Sequence, residues 1–160
     1  MTDIKTKSSR AAVYLDDTAK QIIALLQVDG RRSYASIGKA VGLSEAAVRH
    51  RVQKLQEGGV MQIVAVTDPL QMGFSRQAMI GVKVSTGAKD VAAELAKIDQ
   101  IDYVVITTGR FDILAEVVAE SDDELLELLS DRISAIEAVV STEAFLYLKL
   151  EKQTYSWGVR

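Results

Sequence analysis

Between Ser44 and Lys54 the side chains able to donate hydrogen bonds fall on one side of a helical repeat. At about 100° per residue, Ala46, Arg49, His50 and Gln53 lie on or near one face, with Lys54 on its flank. Guanidinium, imidazole, carboxamide and ammonium groups on a narrow face suit phosphates and base edges, and Ala46 keeps the leading end small. On the other side Val48, Val52 and Leu55 recur at i, i+4 and i+7, a stripe that must be buried. The bland alternative is an amphipathic surface helix with a solvated charged side. His50 is the only histidine and there is no cysteine, so a catalytic triad, a histidine metal cluster, thiol chemistry and cysteine-ligated zinc are all excluded. His50 itself reads equally as a base or phosphate contact and as a tolerated surface residue.

The surrounding residues supply elements to hold that face. SYASIGKAVGLSEAAVRHRVQKLQEG (33–58) reads as a helix over 34–41, a Gly42-Leu43-Ser44 turn, and a second helix over 45–57. Gly42 tolerates positive φ, Leu43 plugs the turn, and Ser44 is an N-cap. Gly58-Gly59 favours a left-handed C-terminal cap. An earlier helix, from Asp16-Asp17 to Asp29-Gly30, offers Ile22, Ile23, Leu25 and Leu26 to complete a three-helix core. Arg31-Arg32 suits either phosphate or plain solvent.

Charge divides the same way. Residues 1–66 carry ten Lys/Arg against six Asp/Glu, and residues 67–160 carry nine against sixteen. A basic front half and an acidic back half point the front toward a polyanion. The opening residues lack an apolar run, and no stretch approaches the roughly 18 apolar residues that span a bilayer. The reading is a soluble cytoplasmic protein with no membrane association, no cofactor and no metal.

The periodicity changes after Gly59. VMQIVAV (60–66) is β-prone and predicts a strand leaving the helical unit, and the single proline, in Asp68-Pro69, marks a boundary. Strands are predicted over 78–84, 101–108, 112–119 and 138–151. Helices are predicted around Val91, Leu95 and Ile98, and from Ser121 through Leu125, Leu128, Leu129 and Ile133. The order β-α-β-β-α-β is ferredoxin-like, an antiparallel sheet with both helices on one face. Ile80, Val82, Val105 and Leu146 suggest a second copy of the sheet as cover for the other face, hence a homodimer. The domains are then a polar arm over 1–13, a helix-turn-helix domain over 14–66, a linker over 67–76, and a second domain over 77–160. Asp122-Asp123-Glu124 fits a helix's first turn better than a cation site.

From about Tyr14 to Trp157 the chain resembles the Lrp/AsnC ("feast/famine") family of prokaryotic transcription regulators. The matching pieces are Leu15-Asp16, LLQVDGRRSY (25–34), GLS (42–44), VRHRVQKLQEGGV (48–60), IVAVTDPLQMGF (63–74), TGRFD (108–112) and the closing Lys152-x-x-Tyr155-x-Trp157. The resemblance implies an α+β chain: a winged-type helix-turn-helix domain joined by a strand to a ferredoxin-like βαββαβ (RAM, ACT-like) domain. It implies dimers through the sheets, further assembly to tetramers or octamers, and control of amino-acid metabolism genes by a free amino acid. By position it gives Ser44, Ala46, Arg49, His50, Gln53 and Lys54 as contacts to double-stranded DNA. It places an effector pocket between dimers around Ile106, Thr108, Gly109, Arg110 and Asp112, with Asp122 and Phe145 nearby.

In such a pocket Gly109 exposes backbone to a zwitterion, Asp112 pairs an ammonium, and Ile106 and Phe145 form an apolar wall. Without the resemblance, TGRFD reads as a hairpin turn with glycine at its special position. The chain departs from the family at Ala19, where a second acid is usual three residues after the first. Asp17 is the nearest replacement for an ion pair to the recognition helix at Arg51. Tyr155 and Trp157 read as packing residues at a subunit contact. Two rivals share this architecture: a DNA-compacting protein without an effector, and a decarboxylase of haem biosynthesis. The latter needs a catalytic histidine or similar acid in the second domain, and residues 67–160 have no histidine.

Overall fold

The computed structural model describes residues 15–154 and 158–159 of the chain. It divides into two compact units, one reaching to Ala65 and rejoined by the tail after Glu151, the other spanning Val66–Glu151. Within the first unit Val159 packs against the cluster of Ala19, Ile23 and Leu55.

The helical unit consists of α1 (Asp17–Val28), α2 (Tyr34–Val41) and α3 (Glu45–Glu57). Ile22, Leu26, Ile37, Val48 and Val52 form its main core, with Leu25 only partly buried at the edge. Each such side chain contributes about 1.5–3 kcal/mol on burial. The helix starts are encoded locally, since Asp16, Ser33 and Ser44 each accept a backbone N–H three residues on. The left-handed residue after α3 is Gly59 (φ 63°), whereas Gly58 stays right-handed.

No wing accompanies these helices, because the unit has no strand among the described residues. The strand expected over 60–66 is likewise not formed. A β-prone segment needs a ladder partner for its backbone groups, and here Ile63, Val64 and Val66 stand 42%, 65% and 57% exposed.

The second unit contains β1 (Arg76–Val84), α4 (Ala88–Leu95), β2 (Ile101–Ile106), β3 (Ile113–Ala119), α5 (Asp122–Glu127) and β4 (Val139–Leu146). The sheet is antiparallel with order β2-β3-β1-β4, the ferredoxin-like arrangement. β4 stops short of residue 151 because β1 begins at Arg76; the last ladder bond is donated by the Tyr147 N–H to the Gln77 carbonyl, 2.8 Å. After α5 the chain winds as a π-helix over Leu128–Ile133. Five-residue spacing then puts Leu128 and Ile133 together in the core and leaves Leu125 and Leu129 partly buried beside it.

Paired residues share a sheet face, and the register corrects which residues need a cover. Ile80 and Val82 are fully buried under the helices, and Leu146 shares their row through its pairing with Ala78. The opposite face carries Val105, paired with Leu114, together with Met79, Tyr103 and Phe145. Tyr103 and Phe145 are 51% and 43% exposed. Phe111 lies across Gly81, where an added Cβ would sit 2.6 Å from its ring.

Candidate nucleic-acid interface

The turn between α2 and α3 is built from hydrogen bonds and one tight approach. Gly42 is left-handed (φ 72°), and the Gly42 and Leu43 N–H groups both donate to the Gly38 carbonyl, the latter at 2.9 Å. A Cβ on Gly38 would collide with the Leu43 carbonyl oxygen, so only glycine lets α2 meet the turn. Gly38 is a residue the sequence patterns did not mark; its signal is a glycine inside a short helix.

With Val48, Val52 and Leu55 buried at 0%, 1% and 4%, α3 presents Ala46, Arg49, His50, Gln53 and Lys54 to solvent. Ser44 is also exposed, and its hydroxyl accepts the Ala47 N–H at 3.2 Å. That hydroxyl therefore has a structural task at the helix start. His50 and Lys54 make no hydrogen bond or ion pair among the described residues, and Gln53 donates to Glu57 at 2.8 Å.

Arg49 is more constrained than its exposure suggests. Its Nη2 meets the Glu45 carboxylate at 2.8 Å, and its guanidinium lies 5.2 Å from the centroid of the Tyr34 ring. The flank of α3 is tied to α1. Asp16 accepts the Ala19 N–H through Oδ1 and the Arg51 guanidinium through Oδ2, both at 2.7 Å. Asp16, not Asp17, is thus the acid paired with α3. The Arg51 hydrogen bond, aided by the Ala19 N–H, holds the Asp16 carboxyl below its ordinary value. Ala19 packs in the core at 6% exposed. Arg32 Nε donates to Ser36 Oγ at 3.2 Å, so it braces the start of α2.

The second candidate cluster is the turn between β2 and β3. Gly109 has φ 119° and open space around it, and Ile106, Thr108 and Arg110 are exposed. Thr107 closes the turn, its hydroxyl donating to the Phe111 carbonyl at 2.7 Å. Arg110 pairs with Glu143 at 2.7 Å and lies over the Phe111 ring, which meets Phe145 edge-on at 6.0 Å.

Asp112 is already partnered: it accepts from Lys83 Nζ at 3.1 Å and from the Val84 N–H at 2.9 Å. The Val84 N–H and then Lys83 lower its pKa. Asp112 therefore has a cationic partner within the chain. Asp122 stands apart, at the far end of the seven-residue β3, roughly 20 Å from the turn, where it makes a bidentate pair with Arg76. A single chain brings Ile106, Thr108, Gly109, Arg110 and Asp112 together, adds Phe145 through Phe111, and leaves Asp122 out. No helix among the described residues is long and apolar enough to cross a membrane.

Comparison with known proteins agrees with both units. Residues 15–56 match the AsnC-type helix-turn-helix domain, and residues 74–160 match an AsnC-family C-terminal dimeric α+β barrel domain. The HTH-type transcriptional regulator FL11 of Pyrococcus horikoshii is 38% identical over 144 residues, 89% of this chain and 95% of that protein. Escherichia coli regulatory protein AsnC is 30% identical over 139 residues, 84% of this chain and 91% of its own length. The solved E. coli AsnC structure superposes with a TM-score of 0.76 at 27% identity, covering 88% of this chain and 97% of that one. A Neisseria meningitidis transcriptional regulator, solved as an L-Met complex, shares the fold with a TM-score of 0.78 at 24% identity, covering 89% and 96%. The buried stripe, exposed donor face and ferredoxin-like unit, with these matches, make this chain a DNA-binding member of the Lrp/AsnC family of helix-turn-helix transcription regulators.

Proposed function

We propose that this regulator acts in the cytoplasm on amino-acid metabolism genes, and that a free amino acid bound between subunits alters its assembly or its DNA affinity. The observation that carries the DNA half is α3 itself: one face buried to 4% or less, the other offering Arg49, His50, Gln53 and Lys54. The contacts are then Arg49, His50, Gln53 and Lys54 to base edges and phosphates, with Ala46 giving close approach and Ser44 fixing the helix start.

The effector half rests on the open turn at Thr108-Gly109-Arg110, which leaves backbone groups accessible to a carboxylate. The L-Met bound by the Neisseria relative supports an amino acid as the ligand class. Because Asp112 is partnered internally, the effector's ammonium takes its counter-charge elsewhere. Asp122, 74% exposed at the far end of the sheet, joins the pocket only from a neighbouring subunit. That makes the site inter-subunit, with dimers formed through the open sheet face and assembled into tetramers or octamers.

Light scattering on the purified protein, with and without each of the twenty amino acids, tests this reading. The expected result is a mass above that of a dimer which one amino acid shifts. A dimer indifferent to every amino acid would remove the effector and leave DNA binding standing.

A further inference from the structure

Glu45 lies on the DNA-reading helix, yet it carries the wrong sign for a polyanion. It is the first residue of α3, its side chain is 52% exposed, and its carboxylate sits 2.8 Å from Arg49 Nη2 one turn later. In a helix-turn-helix the N-terminal residues of the second helix are the ones that reach base edges. A carboxylate there weakens binding to every duplex by repulsion from phosphates unless it meets a donor. The major groove offers two, the N4 amino group of cytosine and the N6 amino group of adenine. Adenine sets its donor beside the N7 acceptor, which repels a carboxylate, so cytosine is the better fit.

Arg49 is prepared for the complementary base. Glu45 on one side and the Tyr34 ring 5.2 Å away hold its guanidinium, and a guanidinium so held suits the N7 and O6 acceptors of guanine. The two residues are four apart, hence about 6 Å along the helix axis. Base pairs stack every 3.4 Å or so, so the pair addresses positions within about two base pairs of each other.

From this juxtaposition we infer that Glu45 is a specificity-determining residue: its carboxylate accepts from a cytosine N4 amino group while Arg49 reads a guanine within two base pairs. This rests on the reading that α3 enters the major groove. The plain alternative is that Glu45 only complements the helix dipole. In that case its removal changes helix stability and leaves base preference alone.

The test is selection of bound sequences from a randomised duplex pool by the full-length protein, E45A and E45Q, alongside affinity for random duplex. The wild type should enrich a motif with cytosine fixed at one position of each half-site. In E45A the preference for that cytosine should fall by roughly fivefold to a hundredfold, with positions other than the Arg49 guanine kept and random-duplex affinity unchanged or higher. E45Q should shift that position toward adenine, which a carboxamide can bind through N6 and N7.

Identical base frequencies in all three proteins would overturn the inference while leaving DNA reading by α3 intact. A wild type that binds duplex but enriches no motif would overturn both. Should E45A lose all binding, E45Q decides, and cytosine preference retained in E45Q overturns the inference.

Discussion

Asp16 joins two jobs in one carboxylate, capping α1 with one oxygen and holding Arg51 of α3 with the other. Its pKa is held below the ordinary 3.8 chiefly by the Arg51 hydrogen bond. A depressed folded-state value means that the pair adds stability above pH 3.8 and loses it as the pH falls through the lower folded-state value. D16N keeps an acceptor for the Ala19 N–H and removes the charge. It should lower the melting temperature at pH 7, with wild type and variant converging as the pH falls through the lowered Asp16 value. A circular-dichroism melting series across that range checks it; a gap that persists in acid would place the effect in the cap alone. The Asp16–Arg51 pair was not readable from spacing, because it joins residues 35 apart in the chain. Sequence-local reasoning turned instead to Asp17. The Lys83 and Val84 partners of Asp112 were hidden for a similar reason, since they lie on β1, nearly thirty residues back along the chain.

Among the elements, the helices were legible because their starts and stops are local chemistry. Asp16, Ser33, Ser44 and Ser121 cap the helices that follow them, and Gly42 turns the chain where the repeat ends. Elements that depend on a partner were not legible. The segment over 60–66 has the composition of a strand and none of the pairing. The face assignment of β1 required knowing its register, which put Ile80 and Val82 against the helices. Register also explains Gly81, buried in β1 with Phe111 lying over it. G81A forces a methyl group against that ring at 2.6 Å and should destabilise by about 1–3 kcal/mol. It should also displace Phe111 from Phe145. Thermal melting gives the first effect and the near-ultraviolet aromatic signal the second; unchanged values of both would show that the turn can shift freely.

At the scale of the molecule, the open sheet face sets the predicted assembly. Met79, Tyr103, Val105, Leu114 and Phe145 line it, an apolar patch of the kind that mediates association between copies. V105K places a charge at its middle and should reduce the solution mass to that of a monomer at micromolar concentration. Light scattering reads this directly, and an unchanged mass would move the dimer interface elsewhere. Charge follows the division of labour. The basic front half carries the helix-turn-helix domain, and the back half is acidic.

The central claim is that the outer face of α3 reads DNA sequence, and fluorescence anisotropy tests it most directly. The titration compares a selected operator duplex with a scrambled one, for wild type and R49A at the same salt concentration. Wild type should prefer the operator by roughly a thousandfold or more. R49A should lose about ten- to a hundredfold on the operator, with a much smaller change on the scrambled duplex. A wild-type ratio near one, as for a protein that compacts DNA without sequence preference, would contradict the account, and so would an R49A titration that overlays the wild type.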